Sequence, residues 1–434
     1  MKKALIVGLA LSAAGLTLWR CSASDREIAN DDDSGTGDTD ADTDTDTDSD
    51  TDSDTDNPWG LNMCPGEVQS FIWISNTGNA ESPVSGQGPV SKVCPITGEE
   101  VARYITSPQG QTGDPSRTSV NLHGDMVVTN RDPSPGPSSV TMFIADYEEC
   151  VDKNDNGEIE TSTGPDDVKP WNEDECMAWN TALTTGTTSI GARATAWNGE
   201  EDPDTGLGGR VYIGAMFNKT VYVLDGDTGE ILESQATTLA HYGGAMDGKG
   251  NFWTVASLCT ISICQIERIN LLDLTDHETF GVHCGYGISV DSQGRVWTAG
   301  QRIGGGGGCV SRFDPETEEN LWVDTAVLDF NRGVAVDGNG SVWAACTSGD
   351  IIQVDEETVS LVGAGRWPVG SASEMVGVAI DYEGYVWTVD RAGSTAYKID
   401  PVDPTIQTAV PIGPLPYTYS DMTGMQLKNV TPIE

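Results

Sequence analysis

The chain has 434 residues and a formal net charge of −44, with 67 acidic residues against 23 basic ones. Residues 31–56 contain 13 aspartates and no lysine or arginine, and removing those 13 charges from −44 leaves −31 on the rest of the chain. Nucleic acids and anionic membrane surfaces are excluded as partners, since both bind to basic faces. The length allows one large domain or two ordinary ones.

The first 24 residues have the features of an export signal. Two lysines precede an apolar run over residues 4–16, which is shorter than a membrane span needs. Residues 18–21 resemble a bacterial lipoprotein box with Cys21 as the lipidated residue, although Arg20 stands where that pattern has a small residue. The alternatives are cleavage after the small residues 22–24 and an uncleaved anchor. We therefore expect an exported protein, either a cell-envelope lipoprotein or a secreted or periplasmic form.

Residues 25–57 are dominated by Asp-Thr and Asp-Ser repeats. Few apolar side chains are available for a core and like charges repel along the run, so we expect a disordered, extended spacer. Similar tails occur on surface lipoproteins of myxobacteria and related bacteria. A spacer that follows a lipid anchor would hold the folded domain away from the membrane.

A sequence repeat organises residues 58–434. Its form is close to Gly-x-Ala-x-Asp-x-x-Gly-x-x-Trp, with alternating apolar residues on both sides of the Asp-x-x-Gly turn. Four clear copies end at tryptophans that are 44, 46 and 44 residues apart, namely Trp253, Trp297, Trp343 and Trp387. Alternating apolar residues and Gly-rich turns at a period of roughly 40–50 residues predict the blades of an all-β propeller.

Each residue type in the repeat has a structural role. Apolar residues alternate because each blade strand packs on its neighbours. Aspartate begins a turn by accepting hydrogen bonds from nearby backbone amides, and glycine supplies the positive φ at the end of the turn. A tryptophan ring is large enough to fill the wedge between adjacent blades. The repeat residues therefore explain the fold, and we assign them no catalytic role.

Three weaker copies lie upstream, with Trp73, Val128 and Tyr212 in the tryptophan position. The copy at Trp73 lacks its opening strand, and we expect residues 421–427, near the other end of the chain, to supply it. A ring closed by strands from both termini removes the exposed edges. The count is then seven blades, with six or eight as alternatives because the first copies are degenerate.

The interval between Val128 and Tyr212 is 84 residues, about twice that of a blade, and the surplus lies in an insertion over residues 146–190. Its centre, Asp-Lys-Asn-Asp-Asn-Gly-Glu-Ile-Glu, resembles the first positions of an EF-hand calcium loop. Oxygen ligands alternate in such a loop, and glycine permits its sharp bend. We expect a structural Ca²⁺ ion here, with ligands from Asp152, Asn154, Asn156, the carbonyl of Glu158, and Glu160.

The loop departs from the EF-hand pattern at position twelve, which is Thr163 instead of the usual bidentate glutamate. No flanking helix pair is evident, so the loop would stand by itself. A metal-free surface turn is the alternative. The last ligand would have to come from Asp166, Asp167, Glu173, Asp174 or Glu175.

Ten cysteines fit an oxidising compartment. Nine remain if Cys21 carries a lipid, so we expect at least one free thiol. Cys259 and Cys264 are five residues apart and suit a hairpin bridge, and a Cys150–Cys176 bridge would close the insertion into a cap on one face of the ring. Sequence does not determine connectivity, and the remaining candidate pairs are Cys64–Cys94 and Cys284–Cys309.

With these repeats, residues 65–430 resemble NHL-type and virginiamycin B lyase-like propellers. The repeat is specific for the fold and weak for the activity. The lyase resemblance implies a metal-assisted elimination on a macrocycle by a histidine and acidic residues at the mouth of the ring. The strands that carry Trp253, Trp297 and Trp343 lack the acidic residue often seen in lyase repeats, so no position of this chain is matched to that catalytic set.

In propellers, the residues that lead into each innermost strand surround one mouth of the central channel. Aligning the repeats on Asp337 places cationic, aromatic and amide side chains there, where they could hold an anionic or sugar-like ligand. The alternative is that they bond only to backbone and water. His241 and His283 precede neighbouring blades and are a further candidate acid–base pair. The predicted ligand-binding residues are Arg117, Arg193, His241, Tyr242, Tyr286, Asn331, Arg332 and Met375.

These features predict an exported, surface-anchored, monomeric propeller that binds a small molecule, a glycan or a protein. One alternative is a lyase-like or hydrolytic enzyme, which requires a histidine, carboxylates and a metal that converge at the channel mouth. The other is a structural or protein-interaction scaffold, which would show a plugged channel and an exposed apolar patch. The sequence does not identify the ligand.

Overall fold

The Asp-x-x-Gly repeat forms a tight turn between two antiparallel strands. Oδ1 of Asp337 accepts hydrogen bonds from the amides of Asn339 at 2.7 Å and Ser341 at 2.9 Å. Oδ2 of the same carboxylate accepts one from the indole Nε1 of Trp343 at 3.0 Å. The indole bond recurs in the three other clear copies at 2.8 to 2.9 Å. The aspartate therefore joins each turn to the buried tryptophan of its own blade.

Seven antiparallel sheets form a ring. The computed structural model describes residues 62–65, 70–77, 87–111, 113–131, 137–183, 191–257, 259, 263–303, 306–326 and 329–431. Over these residues, 27 strands form seven antiparallel sheets, and each sheet contains strands that are consecutive in the chain. The first strands of blades two to seven contact one another in sequence around a central channel. The predicted all-β, seven-bladed propeller is therefore confirmed.

The first three blades contain the weaker copies of the repeat. Their strands are β1 (Ile72–Ser75), β2 (Pro89–Val93) and β3 (Glu100–Ile105) in blade one; β4 (Pro115–Val120), β5 (Met126–Asn130), β6 (Ser139–Phe143) and β7 (Met177–Ala182) in blade two; and β8 (Ala192–Trp197), β9 (Arg210–Ala215), β10 (Thr220–Asp225) and β11 (Ile231–Ala236) in blade three.

The last four blades contain the clear copies. Their strands are β12 (His241–Met246), β13 (Asn251–Ala256), β14 (Cys264–Asn270) and β15 (His277–Val282) in blade four; β16 (Cys284–Val290), β17 (Val296–Arg302), β18 (Gly308–Phe313) and β19 (Asn320–Ala326) in blade five; β20 (Asn331–Val336), β21 (Ser341–Cys346), β22 (Asp350–Asp355) and β23 (Leu361–Pro368) in blade six; and β24 (Met375–Ile380), β25 (Val386–Asp390), β26 (Thr395–Ile399) and β27 (Gln407–Pro411) in blade seven.

Hydrophobic clusters extend from one blade to the next. Trp297 of blade five, for example, packs with Val334, Val342 and Ile352 of blade six. The tryptophan position therefore fills the wedge between blades, as the repeat predicts. The seven residues in this position are all buried, and they are Trp73, Val128, Tyr212, Trp253, Trp297, Trp343 and Trp387.

Blade one is completed by residues 415–422, near the C-terminal end of the chain. This closing segment runs antiparallel to β1. Trp73 N donates to Met422 O at 2.9 Å, and Tyr417 N donates to Ser75 O at 2.8 Å. Residues near the two ends of the described chain thus meet in one blade.

The expected closing range, residues 421–427, is wrong in position. Because β1 already holds the strand position after the Asp421 turn, the residues that follow have no sheet edge to join, and they form helix α1 (Met425–Val430). The helix lies against the turn face of the ring, where a side chain at Gly248 would collide with Val430 O. Two cavities of about 10 Å³ each remain in the channel beneath α1. The helix therefore closes this end of the channel.

The nine described cysteines form four disulfides and leave Cys346 as a buried free thiol. The predicted Cys150–Cys176 and Cys259–Cys264 bridges are both confirmed, and the two other candidate pairs are bonded as well. All four bridges link cysteines at most 30 residues apart in the chain, so each constrains one blade or its insertion.

The insertion leaves blade two after β6 and returns at β7. It begins with a short 3₁₀ helix, Tyr147–Glu149, and otherwise contains no regular element within residues 144–176. Strand β7 lies inside the 146–190 range and is the outermost strand of blade two. The inserted cap is therefore an irregular excursion between two neighbouring strands.

The signal, Cys21 and the acidic spacer all fall within residues 1–61, which lie outside the described part of the chain. Among the described residues, no helix combines the length and the hydropathy that crossing a membrane would require.

Candidate binding site at the channel mouth

β-Bulges in the innermost strands place selected side chains at the channel mouth. In β12, Tyr242 is the extra residue between two that pair with β13. In β8, Arg193 is the extra residue in the same way. The innermost strands β4, β20 and β24 also shift register at this end. A bulge re-aims a side chain, and bulges commonly lie beside functional sites.

Four tyrosines meet at this mouth. The phenol oxygen of Tyr417 lies 2.8 Å from that of Tyr242 and 3.0 Å from that of Tyr286. The phenol oxygens of Tyr242 and Tyr286 lie 2.5 Å apart, and Tyr419 donates to Tyr286 at 3.3 Å. Tyr242 and Tyr286 belong to innermost strands, whereas the other two belong to the closing segment. Closure of the ring therefore assembles this tyrosine cluster.

Two arginines of innermost strands stack on the tyrosines. The guanidinium carbon of buried Arg117 lies 4.2 Å from the ring centroid of Tyr419 and 4.5 Å from that of Tyr242. That of Arg193 lies 4.9 Å from the Tyr242 ring. Among the described residues, Nη2 of Arg117 and Nη1 of Arg193 are buried without a hydrogen-bond acceptor. Burial and the charges of Arg117 and Arg131 lower the pKa of Arg193, as expected for a cation lacking a counter-charge.

Three further arginines at the mouth are paired with carboxylates. Nη2 of Arg131 donates to Asp114 Oδ1 at 2.7 Å. Arg332 and Arg391 share Glu374, at 3.2 and 3.1 Å. Within the described residues the cluster thus holds five guanidinium groups and two carboxylates. This local positive charge stands out in a chain whose net charge is −44.

The arginines change the ionisation of Tyr417. Burial acts to raise the pKa of this phenol, but the Arg117 charge, hydrogen bonds from Tyr242 and Tyr286, and the Arg131 charge outweigh it and lower the pKa to about 7. Burial and the neighbouring phenols instead raise the pKa of Tyr286. The cluster therefore favours a phenolate at Tyr417, hydrogen-bonded by neutral phenols.

Part of the predicted mouth set takes part in this arginine–tyrosine cluster. Three predicted residues do not, and each lies six residues before the turn aspartate of its blade, whereas Tyr242, Tyr286 and Arg332 lie five before it. Side chains alternate along a strand, and the bulges offset this alternation at the mouth, so these three side chains are turned away from the channel. The predicted residues that do come together are Arg117, Arg193, Tyr242, Tyr286 and Arg332.

The three residues outside the cluster are His241, Asn331 and Met375. His241 is fully buried between two threonine hydroxyls at 2.7 and 2.9 Å, and burial lowers its pKa to about 3. Asn331 donates to the hydroxyl of Thr325 at 2.8 Å, and Met375 is buried in the core between blades six and seven. The other candidate base, His283, stacks on a tryptophan ring 5.1 Å away. These are packing environments inside or between blades.

Sequence reasoning missed Arg131, Arg391, Tyr417 and Tyr419. Each of the two arginines directly follows the second strand of its blade, β5 for Arg131 and β25 for Arg391. An alignment of the innermost strands does not include that position. Tyr417-x-Tyr419 precedes Asp421 at the spacing of an innermost strand. A closure placed before Asp421 would have revealed both tyrosines.

The predicted calcium ligands lie together in an exposed loop. Oδ2 of Asp152 accepts from Gly157 N at 2.7 Å. The side-chain amides of Asn154 and Asn156 donate to the two oxygens of Glu160, at 2.5 and 3.0 Å. Asn154, Asn156 and Glu160 thus converge through their side chains, whereas Asp152 accepts backbone amides of the same loop. Glu158 was expected to contribute only its carbonyl.

Two of the candidates for the last calcium ligand have other roles. Glu175 accepts the backbone amides of Lys153 and Glu160 through its two oxygens, at 2.8 Å each, and so ties the ends of the loop. Asp174 accepts from the hydroxyls of Thr161 and Ser162. Over the part of the chain that is described, no cluster of three or more His, Cys, Asp or Glu side chains has the arrangement of a metal site. The loop would instead supply two carboxylates together with amide and carbonyl oxygens.

Comparison with known proteins concerns the fold. No protein-family model matches the chain, and no curated protein matches it. Among solved structures, it is similar to virginiamycin B lyase from Staphylococcus aureus (11% identity, TM-score 0.48, 70% of this chain and 86% of that chain). It is also similar to a streptogramin B lyase (14% identity, TM-score 0.42, 54% of this chain and 73% of that chain). A third similar structure is Kuenenia stuttgartiensis hydrazine synthase (13% identity, TM-score 0.48, 72% of this chain and 90% of that chain). Lyase-type propellers are thus among its structural neighbours, as the repeats indicated, and the assignment to the seven-bladed propellers rests on the seven sheets themselves.

Proposed function

We propose that this protein is an exported propeller that binds an anionic ligand at the arginine–tyrosine mouth of its channel. The observation that carries the proposal is that Arg117 and Arg193 each have a guanidinium nitrogen without a hydrogen-bond acceptor in the described residues. Both guanidinium groups stack on tyrosines, and both of these nitrogens are buried. A carboxylate or phosphate of the ligand would supply the acceptor for Arg193, which is partly exposed, since arginine binds both groups with charge-assisted hydrogen bonds.

The exposure of the cluster indicates which groups would touch the ligand. Arg117 is fully buried, whereas Arg193, Arg332 and Arg391 are partly exposed. Direct contacts would therefore come from the partly exposed arginines, while Arg117 holds the tyrosine rings in place. Cations beside aromatic faces suit an acidic sugar, because its carboxylate pairs with arginine and its ring packs on the tyrosines.

The proposed location is outside the cytoplasm, with Cys21 as a lipid anchor at the cell envelope. The four disulfides support export, because such bonds form and persist in oxidising compartments. The basic start and apolar run of the first 24 residues support it from the sequence. The acidic spacer would then separate the propeller from the membrane.

We also propose that the loop from Asp152 to Glu160 binds a structural Ca²⁺ ion. The support is the convergence of its side chains together with the alternating spacing of oxygen donors. Asparagine amides can rotate to exchange nitrogen for oxygen, and after that rotation Asn154 and Asn156 would present oxygens beside Glu160. The ion would stiffen the cap that the Cys150–Cys176 bridge already closes.

Calorimetric titration with an acidic disaccharide, digalacturonate, tests the proposed site, with inorganic phosphate as a second probe and neutral digalactose as the control ligand. We expect digalacturonate to bind and digalactose not to bind. Arg193→Gln should weaken binding by about tenfold or more, since a hydrogen bond to a charged group contributes roughly 1.5–3 kcal/mol. The matched control is Arg366→Gln, because Arg366 pairs with Asp329 at the periphery of blade six.

Equal affinity of Arg193→Gln and the wild type would contradict the proposed site. Equal binding of the acidic and the neutral disaccharide would contradict the anionic ligand class. Because the interaction is between charges, the affinity should also fall as salt is added.

A further inference from the structure

A groove of about 540 Å³ lies between the inserted cap of blade two and blade three, away from the channel mouth. Met142, Ile144 and Met177 of blade two line it, together with Val151 of the cap and Leu207 of a blade-three loop. Val151 and Leu207 are 59% and 62% exposed. Large apolar side chains gathered at one groove and left this open to water are typical of a binding surface.

The charged residues of the groove are mostly acidic. Asp125, Glu149, Glu175 and Asp227 line it, against the single basic residue Lys153. The ammonium of Lys153 is engaged by two backbone carbonyls, at 2.5 and 2.9 Å. Asp125 and Glu175 are buried, so the acidic charge that faces a ligand comes from exposed Glu149 and Asp227. An apolar lining beside these two carboxylates suits a ligand that is both apolar and cationic.

Contacts across its end hold the walls of the groove in place. The ring of His123 lies 2.7 Å from Glu149 Oε2 on the cap and 3.0 Å from Pro203 O on the blade-three loop. Asp227 accepts the amide of Gly208 at 2.7 Å. The cap is also closed by its disulfide. A groove whose walls are joined in this way is formed before a ligand arrives, which reduces the ordering cost of binding.

We propose that this groove binds a basic segment of a partner polypeptide. An apolar side chain of the segment packs between Val151 and Leu207, and flanking lysines or arginines lie near Glu149 and Asp227. The two methionines of the lining allow the surface to adapt to the side chain, because methionine is unbranched and flexible. The acidic spacer of this chain is excluded as the occupant, since its run over residues 31–56 has 13 aspartates and no basic residue.

Fluorescence anisotropy with a labelled peptide of alternating leucine and lysine tests the proposal on the full chain. We expect the peptide to bind the wild type and to lose about tenfold or more in affinity with Leu207→Ser, because burying a leucine contributes roughly 1.5–3 kcal/mol. The control variant is Leu272→Ser, which alters a 96% exposed leucine outside the groove and should bind as the wild type does. Both leucines are exposed, so both variants should fold.

Two control ligands separate the groove from the general acidity of the chain. A peptide with serine in place of leucine keeps its charge and can still bind the acidic spacer, and it should bind more weakly and equally to all three proteins. If it binds as tightly as the leucine peptide, or if Leu207→Ser binds as the wild type does, the proposal is wrong. If leucinamide displaces the labelled peptide at the same concentration as the unlabelled peptide does, a single cationic amino-acid amide is enough to fill the groove, and the assignment to a polypeptide segment is wrong.

Discussion

Tyr417 is expected to ionise near neutral pH. Burial opposes ionisation, but the Arg117 charge, two phenol hydrogen bonds and the Arg131 charge lower its pKa from 10.0 to about 7. Each pKa unit corresponds to about 1.36 kcal/mol. The arginine–tyrosine cluster therefore stabilises the phenolate by up to about 4 kcal/mol relative to the unfolded chain.

The sign of the pH dependence follows from this lowered pKa. Because the phenol ionises more readily in the folded state, its contribution to the free energy of unfolding is fully present above about pH 10 and is lost as the pH falls through about 7. The perturbation is Tyr417→Phe. The wild type should exceed this variant in unfolding free energy by an amount that grows between about pH 7 and pH 10, towards about 4 kcal/mol.

Ultraviolet absorbance of the phenolate provides the assay. One of the 11 tyrosines should ionise near neutral pH in the wild type, and this transition should disappear in Tyr417→Phe. Tyr382→Phe is the control, since Tyr382 contacts Lys428 on α1 and lies outside the cluster. If every tyrosine of the wild type ionises only above about pH 9, the described balance between burial and the arginines is refuted.

Two further predictions concern the repeat and the insertion. Asp337→Ala removes two amide bonds and the indole bond of buried Trp343 and should lower the free energy of unfolding by about 3 kcal/mol in chemical denaturation. Asp400→Ala, a turn aspartate that accepts backbone amides, should cost less, and an equal loss would contradict the role of the indole bond. Ca²⁺ at about a hundred times its dissociation constant should stabilise the wild type by about 2.7 kcal/mol and raise its melting temperature relative to a chelator. The Asp152→Ala/Asn156→Ala variant should lose that rise, and an equal rise in both proteins would place the ion elsewhere.

The blades could be predicted because their contacts are local. Asp337, its turn amides and Trp343 lie within seven residues of one another, so the spacing in the sequence already contains the hydrogen-bonded unit. The disulfides that were predicted also close short stretches, of 5 and 26 residues. Local spacing of this kind survives in the sequence as a repeat, and it gives both the blade count and the buried tryptophans.

The mouth could be predicted only in part because its partners are distant in the chain. Tyr242 and Tyr417 share a hydrogen bond across 175 residues. Their meeting depends on the place where the ring closes, and the closing segment is residues 415–422 instead of the expected 421–427. A shift of a few residues in that prediction was enough to hide two tyrosines of the cluster.

By itself, the sequence determined the propeller and the structural role of the Asp-x-x-Gly and tryptophan positions, because each of these depends on contacts inside one repeat or between adjacent repeats. It favoured seven blades and left six or eight open, because the first copies of the repeat are degenerate. Only the tertiary structure decided which side chains face the channel. A bulge at Tyr242 or Arg193 changes the alternation of the strand by one residue, and this leaves His241 in the core while its neighbour joins the mouth. The tertiary structure also decided the charge balance of the arginine–tyrosine cluster, since ring closure brings Tyr417 between arginines from different blades.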